Sequence, residues 1–120
     1  MFADTITVTI NAVAKVLTRI NQDSYGSEYY LKSATDDFRL RLRNTSYQDR
    51  VRGIKVDRHN IELVHQVFAV APATIPTIRK YYSVLENDAT DDNAAVGKFS
   101  AGISAFQTEA NYLKLLNWES

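Results

Sequence analysis

The first half of the chain alternates apolar and polar residues with the period of two that is typical of half-buried β-strands. The clearest run is Phe38–Arg43 (FRLRLR), which places a phenylalanine and two leucines on one face and three arginines on the other. Thr5–Ile10 (TITVTI) alternates in the same way with β-branched residues, which favour strands. Further strands are predicted at Ala14–Ile20, as the hairpin partner of Thr5–Ile10, and at Ser27–Lys32 and Ile78–Leu85.

Turn and breaker residues separate these runs. Asn21–Gly26 has turn composition, and Asn44–Gly53 is predicted to be a polar loop. Ile54–Val70 forms either one long strand or two joined strands. Ala71–Pro76 cannot continue a ladder, because each proline lacks an amide donor.

The last third of the chain changes to the three- and four-residue spacing of helices. We expect Thr90 to cap a first helix, with two aspartates in its first turn, and Thr108–Trp118 to form a second helix after a bend. Strands followed by helices predict one α+β domain, with an antiparallel sheet in residues 1–86 and helices in residues 90–118. Two short helices cover only part of such a sheet, so we infer a dimer in which a partner chain completes the packing.

Composition narrows the function classes. The 120 residues include no cysteine, which excludes disulfides and thiolate metal sites. No apolar run approaches the roughly 18 residues that span a bilayer. The net charge is zero, but seven of the 14 basic residues lie between Arg39 and Arg58. This basic stripe suggests a face that meets phosphate, although an ordinary solvated strand face gives the same pattern.

The sequence offers no convincing catalytic constellation, and we predict a protein that is not an enzyme. His59 and His65 lie about 20 Å apart along a strand, too far to share a metal, and are expected to be packed or interface residues. Asp57 beside His59 has no evident third partner for acid–base chemistry. No cofactor is expected, apart from a structural cation on carboxylates that helix capping explains in part: Asp88, Asp91 and Asp92.

Arginines at every second strand position lie about 7 Å apart, close to the phosphate spacing along a nucleic acid strand. On the last strand Tyr81 and Ser83 share one parity, and Tyr82 has the other. If the Tyr81 parity lies beside the arginines, the sheet offers phosphate donors and a ring on which an unpaired base stacks. That combination suits single-stranded or looped RNA, and plain strand packing of Tyr81 is the alternative.

Three stretches from the two ends and the middle of the chain match one known family. They are Lys15–Leu31 (KVLTRINQDSYGSEYYL), Asp57–Leu63 (DRHNIEL) and Tyr112–Ser120 (YLKLLNWES). These stretches resemble the coat proteins of small single-stranded RNA bacteriophages, the levivirus family, and in particular the coat of the RNA phage that infects Caulobacter.

The resemblance implies an N-terminal hairpin, a five-stranded antiparallel sheet and two C-terminal helices. It further implies homodimers with a continuous sheet and interlocked helices, which assemble in the bacterial cytoplasm into an icosahedral shell around genomic RNA. The family also implies binding of an RNA operator that represses replicase translation, a maturation protein as partner in the virion, and no membrane partner.

Residue by residue, the resemblance and the strand parity imply this RNA-facing set: Arg39, Arg41, Arg43, Arg58, Asn60, Tyr81 and Ser83. The expected dimer interface comes from the helices: Phe99, Ile103, Phe106, Tyr112, Leu115, Leu116 and Trp118. Glu62 departs from the family pattern, because an acid on the phosphate side is unfavourable unless Arg41 or Arg58 neutralises it.

Two other functions stay open. A free-standing dimeric RNA-binding repressor would use the same arginines without forming a shell. A small α+β enzyme or ligand-binding domain would need a deep, dry cavity with converging polar groups near His59 and Asp57.

Overall fold

Six β-strands pair antiparallel in chain order, and two helices follow them, which confirms the α+β class. The structure is a computed structural model that describes residues 1–120. The strands are β1 (Thr5–Ile10), β2 (Val13–Gln22), β3 (Gly26–Lys32), β4 (Asp36–Asp49), β5 (Ile54–Val67) and β6 (Thr77–Asp88). The helices are α1 (Asn93–Phe106) and α2 (Glu109–Leu116).

The expected five-stranded sheet with a separate hairpin is wrong in its strand number. The β1–β2 hairpin is hydrogen-bonded to β3 and so continues the sheet. Ile54–Val67 is a single strand, because it pairs with β4 on one side and with β6 on the other along nearly its whole length. The ladder stops before Ala71–Pro76, as the two prolines predict.

The predicted polar loop Asn44–Gly53 is wrong over its first part. Residues 44–49 extend β4, and each of them has a cross-strand partner in β5. The turn itself is tight, because the Asp49 carboxylate accepts hydrogen bonds from the amides of Val51 (3.0 Å) and Arg52 (3.2 Å). These bonds, led by the one from the Arg52 amide, lower the pKa of Asp49. Gly53 closes the turn with a φ of 69°, which glycine adopts without strain.

The hairpin of β1 and β2 turns over two residues, Asn11 and Ala12, whose φ angles are 51° and 61°. Two positive φ angles define the type I′ turn that matches the twist of a hairpin. Asparagine tolerates this conformation, whereas alanine is strained in it. A β-bulge between Arg19 and Asn21 then shifts the register of β2 against β3.

The core lies on one face of the sheet, beneath this hairpin. Its buried cluster is Leu17, Tyr29, Phe38 and Leu40. Leu17 comes from β2 and Leu40 from β4, which are not neighbours in the sheet, so the hairpin curls over this face. The buried Tyr29 hydroxyl donates to the Ala3 carbonyl at 2.8 Å, and the N-terminal residues thereby help to close the core.

Helix α1 begins two residues later than predicted. Asp92, rather than Thr90, is its N-cap, since the Asp92 side chain accepts a hydrogen bond from the Ala94 amide at 3.2 Å. Consequently neither aspartate lies in the first turn. Helix α2 follows the expected bend, and Thr108 caps it by accepting from the Asn111 amide.

Neither helix buries a single residue within the chain. One side-chain hydrogen bond joins the helices to the sheet, from the Tyr112 hydroxyl to the Tyr81 hydroxyl at 3.0 Å, and it raises the pKa of Tyr112 to about 12. The chain exposes 9256 Å² of surface, whereas a monomeric protein of 13.6 kDa exposes about 6,600 Å². Its radius of gyration is 17.3 Å, against about 14 Å for a compact domain of this length.

Candidate nucleic-acid interface

The register of the sheet divides the candidate residues between two faces, since directly paired residues on neighbouring strands point to the same side. Arg41 of β4 pairs with Glu28 of β3 and with Glu62 of β5, and Glu62 pairs in turn with Tyr82 of β6. We call this side the arginine face. Its polar, charged and tyrosine members on β3 to β6 include Glu28, Tyr30, Arg39, Arg41, Arg43, Arg58, Asn60, Glu62, Lys80, Tyr82 and Glu86.

Five of the seven predicted RNA-facing residues share the arginine face, and Tyr81 and Ser83 do not. Tyr81 pairs with Leu63, and Ser83 pairs with Ile61, so both point to the opposite side, where the core and the helices lie. We call that side the helix face. The placement of Tyr81 beside the arginines was therefore wrong, because the sequence gives the alternation within β6 but not the register of β6 against β5.

Tyr82 is the tyrosine that the last strand contributes to the arginine face. Its side chain is 50% exposed, and its hydroxyl accepts hydrogen bonds from Asn60 (3.4 Å) and Arg58 (3.5 Å). Asn60 Oδ1 and Arg58 Nε have no hydrogen-bond partner. These two atoms are buried, whereas the Tyr82 ring is half exposed and offers an aromatic surface on which an unpaired base can stack.

Acidic side chains balance most of the cations on the arginine face. Glu62, which the sequence marked as a departure, is neutralised by Arg41 (3.4 Å) and by Lys80 (3.6 Å). Arg58 does not reach Glu62 and pairs with Glu86 at 3.8 Å instead. The Tyr47 hydroxyl also donates to Glu86 (3.0 Å), which raises the pKa of Tyr47.

Arg43 makes no ion pair on this face, whereas Arg39 contacts both a carboxylate and an aromatic ring. Arg39 pairs closely with Glu28, and its guanidinium lies over the Tyr30 ring, 5.0 Å from the ring centroid. The Tyr30 hydroxyl donates to Asp37 at 2.8 Å, and this bond raises the pKa of Tyr30. Tyr30 and Glu28 are members of the face that the sequence did not identify, although their alternation in β3 carries the signal.

The helix face holds both histidines in packed positions, as predicted. His65 stacks on Phe38 with ring centroids 4.1 Å apart and planes 5° from parallel. An Arg79 N–H faces His65 Nδ1 at 3.2 Å, so Nε2 carries the proton that is donated to Asp36 at 2.9 Å. The Ser33 hydroxyl donates to the same carboxylate. Both hydrogen bonds lower the pKa of Asp36, and the bond from Ser33 has the larger effect.

The suspected acid–base pair of Asp57 and His59 does not form. Nδ1 of His59 lies 2.8 Å from the Asn44 side-chain oxygen, and Nε2 lies 3.1 Å from that of Asn87. The pocket beside them, of about 550 Å³, is open to solvent, and its lining residues other than Tyr25 are polar or charged, Lys55 among them. It is not the deep, dry cavity that the enzyme hypothesis requires.

The carboxylates suggested for a cation are engaged elsewhere in the single chain. Asp88 pairs with Arg52 at 2.6 Å, which ties the β4–β5 turn to the end of β6 and raises the pKa of Arg52. Asp91 accepts from the Asp92 amide (2.7 Å), and Asp92 caps α1. No group of three acidic or histidine side chains converges to hold a metal ion.

Four of the seven predicted interface residues line an apolar groove. Between α1 and the helix face of β5 and β6 lies a groove of about 1150 Å³, lined by Phe99, Ile103, Phe106 and Tyr112 among others. Phe99 is 71% exposed, and Trp118, beyond the end of α2, is 95% exposed. Leu115 and Leu116 are exposed as well. The chain therefore presents large apolar side chains that it does not cover itself.

Neither helix is long and apolar enough to span a membrane. No curated protein matches the chain. The family described as the coat protein of phage phiCb5 matches residues 3–88, which include all six strands and end before α1. A match over this much of the chain shows the family, in agreement with the resemblance of Lys15–Leu31 and Asp57–Leu63. The chain therefore belongs to the phage phiCb5 coat protein family, as an RNA phage coat protein and a component of the virion.

Proposed function

We propose that this coat protein forms homodimers, that the dimers assemble into an icosahedral shell, and that the arginine face contacts single-stranded genomic RNA inside it. The observation that carries the proposal is the contrast between the two faces of the sheet. One face is polar and open, with Arg43 and Tyr82 free to contact a ligand. The other face and the helices leave apolar surface uncovered.

The amount of exposed surface supports an extensive dimer. The chain exposes about 2,700 Å² more than a monomer of its mass, or about 5,400 Å² for two copies. Obligate homodimers bury about 2,000–5,000 Å² or more in total and have apolar interfaces. The groove beside α1 is the natural place for helices of the partner subunit, because its lining is rich in aromatic and aliphatic side chains.

The free edge of β6 supports a continuous sheet. β6 is a strand of 12 residues with β5 on one side and no strand on the other. A long unpaired edge is a template for pairing with another chain. Two copies related by a twofold axis would pair their β6 strands antiparallel, and the arginine faces of both subunits would then form one surface.

The arginine face supports RNA binding, with Tyr82 in the stacking role first assigned to Tyr81. Tyr82→Ala should weaken binding of a single-stranded RNA by about 1–3 kcal/mol, whereas Tyr82→Phe should change it little. Tyr81→Phe is the matched control, since it alters a tyrosine on the other face of the same strand. Equal losses for Tyr82→Ala and Tyr82→Phe would assign the contact to the hydroxyl rather than to the ring.

The family resemblance implies further roles for such a shell subunit. Binding of an RNA operator would repress translation of the replicase, and the maturation protein would join the particle during assembly in the bacterial cytoplasm. Arg39→Glu separates a shell subunit from a free-standing repressor. A shell subunit still forms dimers and particles after this substitution, whereas a repressor loses its only activity.

The first experiment is size exclusion of the chain expressed in bacteria, with absorbance at 260 and 280 nm and negative-stain microscopy of the leading peak. Round, uniform particles that protect RNA from nuclease are the expected result. A clean dimer without RNA would instead favour the repressor function. A stable folded monomer would contradict the proposal, because the apolar groove would then have no occupant.

A further inference from the structure

The cations of the arginine face form a continuous ladder with two carboxylates. Arg39 pairs with Glu28, and Glu28 also lies 3.5 Å from Arg41. Arg41 reaches Glu62 on its other side at 3.4 Å, and Glu62 continues to Lys80 at 3.6 Å. The ladder crosses all four strands from β3 to β6, and each carboxylate contacts two cations.

The carboxylates lie deeper in the ladder than the cations. The side chains of Glu28 and Glu62 are 21% and 20% exposed, whereas those of Arg41 and Lys80 are 49% and 58% exposed. The register produces this arrangement, because it places both glutamates directly across from Arg41. A ligand that approaches from solvent therefore meets the cations first, but it meets cations whose charge is already partly neutralised.

This arrangement sets up a competition between carboxylate and phosphate. Both are oxygen anions, and a guanidinium binds either one through the same planar set of N–H donors. Three cations and two carboxylates leave a net charge of +1 on the ladder, where the three cations alone would carry +3. Arg43 lies outside the ladder and has no carboxylate partner.

We propose that Glu28 and Glu62 act as internal competitors for RNA phosphate, which limit sequence-independent binding to the arginine face. This inference rests on the proposed RNA-binding function and adds a way in which the protein limits that binding. Backbone phosphates gain little from Arg41 and Lys80, since they must displace Glu62 to use the full charge. Contacts outside the ladder, to Arg43 and to the Tyr82 ring, therefore contribute more to the choice among RNAs than the ladder cations do.

The test compares Glu62→Gln with the unmodified full-length chain, using a fluorescent short oligouridine, anisotropy and a series of salt concentrations. Glutamine keeps the shape of the side chain and removes its charge. We expect binding about fivefold tighter at low salt, the size of one exposed charge contact. The slope of log K against log salt should steepen by about 0.7 for each cation released to phosphate. Glu28→Gln should act in the same direction.

Asp57→Asn is the matched control for net charge. Asp57 lies on the same strand as Glu62 but on the helix face, and it makes no ion pair. An equal gain in affinity with Asp57→Asn would show a general charge effect and overturn the proposal. Unchanged or weaker binding with Glu62→Gln would also overturn it, and weaker binding would mean that Glu62 orients Arg41 for RNA.

Arg43→Ala separates this inference from the function on which it rests. If Arg43→Ala weakens binding and Glu62→Gln does not strengthen it, the arginine face binds RNA and only the competition is wrong. If neither Arg43→Ala nor Arg41→Ala changes binding, RNA does not use this face, and both the proposed function and the competition are refuted. Circular dichroism and sedimentation establish that each variant retains its fold and oligomeric state.

Discussion

The sheet and the helices of this protein solve the problem of burying apolar side chains in opposite ways. The sheet covers its own core, because the β1–β2 hairpin curls over Tyr29 and Leu40 and Leu17 closes the cluster. The helices carry side chains as large as Phe99 and Phe106 and bury none of them. The difference teaches that a single chain packs the core of its sheet by itself but leaves the apolar side chains of its helices uncovered, which is the surface that the proposed dimer would bury.

The largest expected effect comes from charging the helices. Phe99→Asp with Ile103→Asp should dissociate the proposed dimer, because each aspartate would place an unpaired charge in its apolar interface, at a cost of about 3–5 kcal/mol each. Sedimentation velocity measures the outcome. Ala101→Asp is the control, since residue 101 lies on the opposite side of α1 from residues 99 and 103. A dimer that survives the double substitution would place the interface elsewhere.

The next effect concerns the core of the sheet. Leu40→Ala should lower the free energy of unfolding by about 2–5 kcal/mol, because it removes a buried side chain and leaves a cavity under the hairpin. Urea unfolding followed by circular dichroism measures the loss. Leu116 lies on the exposed surface of α2, so Leu116→Ala removes no contact within the chain. It should change the unfolding midpoint only through a weaker proposed dimer. An unchanged free energy of unfolding in Leu40→Ala would contradict the conclusion that the sheet packs its own core.

A smaller gain is expected at the hairpin turn. Ala12→Gly should stabilise the protein by about 0.5–1 kcal/mol, because glycine adopts the φ of 61° without the strain that alanine carries. Thermal unfolding measures the shift. Ala14→Gly, two residues later within β2, is the contrasting variant and should destabilise, since glycine weakens a strand interior. A loss of stability with Ala12→Gly would contradict the type I′ turn.

The smallest effect is a pH dependence at the edge of the core. A carboxyl group with a lowered pKa stabilises the fold above its unfolded pKa, about 3.9 for aspartate, and loses this contribution as the pH falls through the folded value. The pKa of Asp36 is lowered, first by Ser33 and then by His65. The stability difference between the unmodified chain and Asp36→Asn should therefore shrink below about pH 4.

Denaturant unfolding between neutral and acidic pH measures this difference. Ser33→Ala removes the largest cause of the lowered pKa and keeps the Asp36 carboxylate. The loss of stability between neutral and acidic pH should therefore be smaller in this variant. Parallel stability curves for Asp36→Asn and the unmodified chain across this pH range would contradict the assignment.

Local patterns in the sequence were sufficient to predict the type and order of the strands and helices. They failed to predict how one strand pairs with another. The alternation of Phe38–Arg43 correctly separated an apolar from a basic face. The polar composition of residues 44–49 suggested a loop, but pairing with β5 made them part of β4, since tertiary pairing overrides weak strand propensity. The same limit explains Tyr81 and Tyr82, which are adjacent in the chain and lie on opposite faces.

The sequence by itself determined the strand and helix order, the stop at Ala71–Pro76, the basic face of β4 and the family to which the chain belongs. Each of these features depends on residues that are near one another in the chain, or on a sequence motif that can be recognised without the structure. Only the tertiary structure decided that Tyr82 joins the arginines, that Glu28 and Glu62 flank Arg41, and that both helices remain uncovered. The physical reason is register, because a shift of one residue between strands exchanges their faces, and hydrogen bonds between distant segments fix that choice.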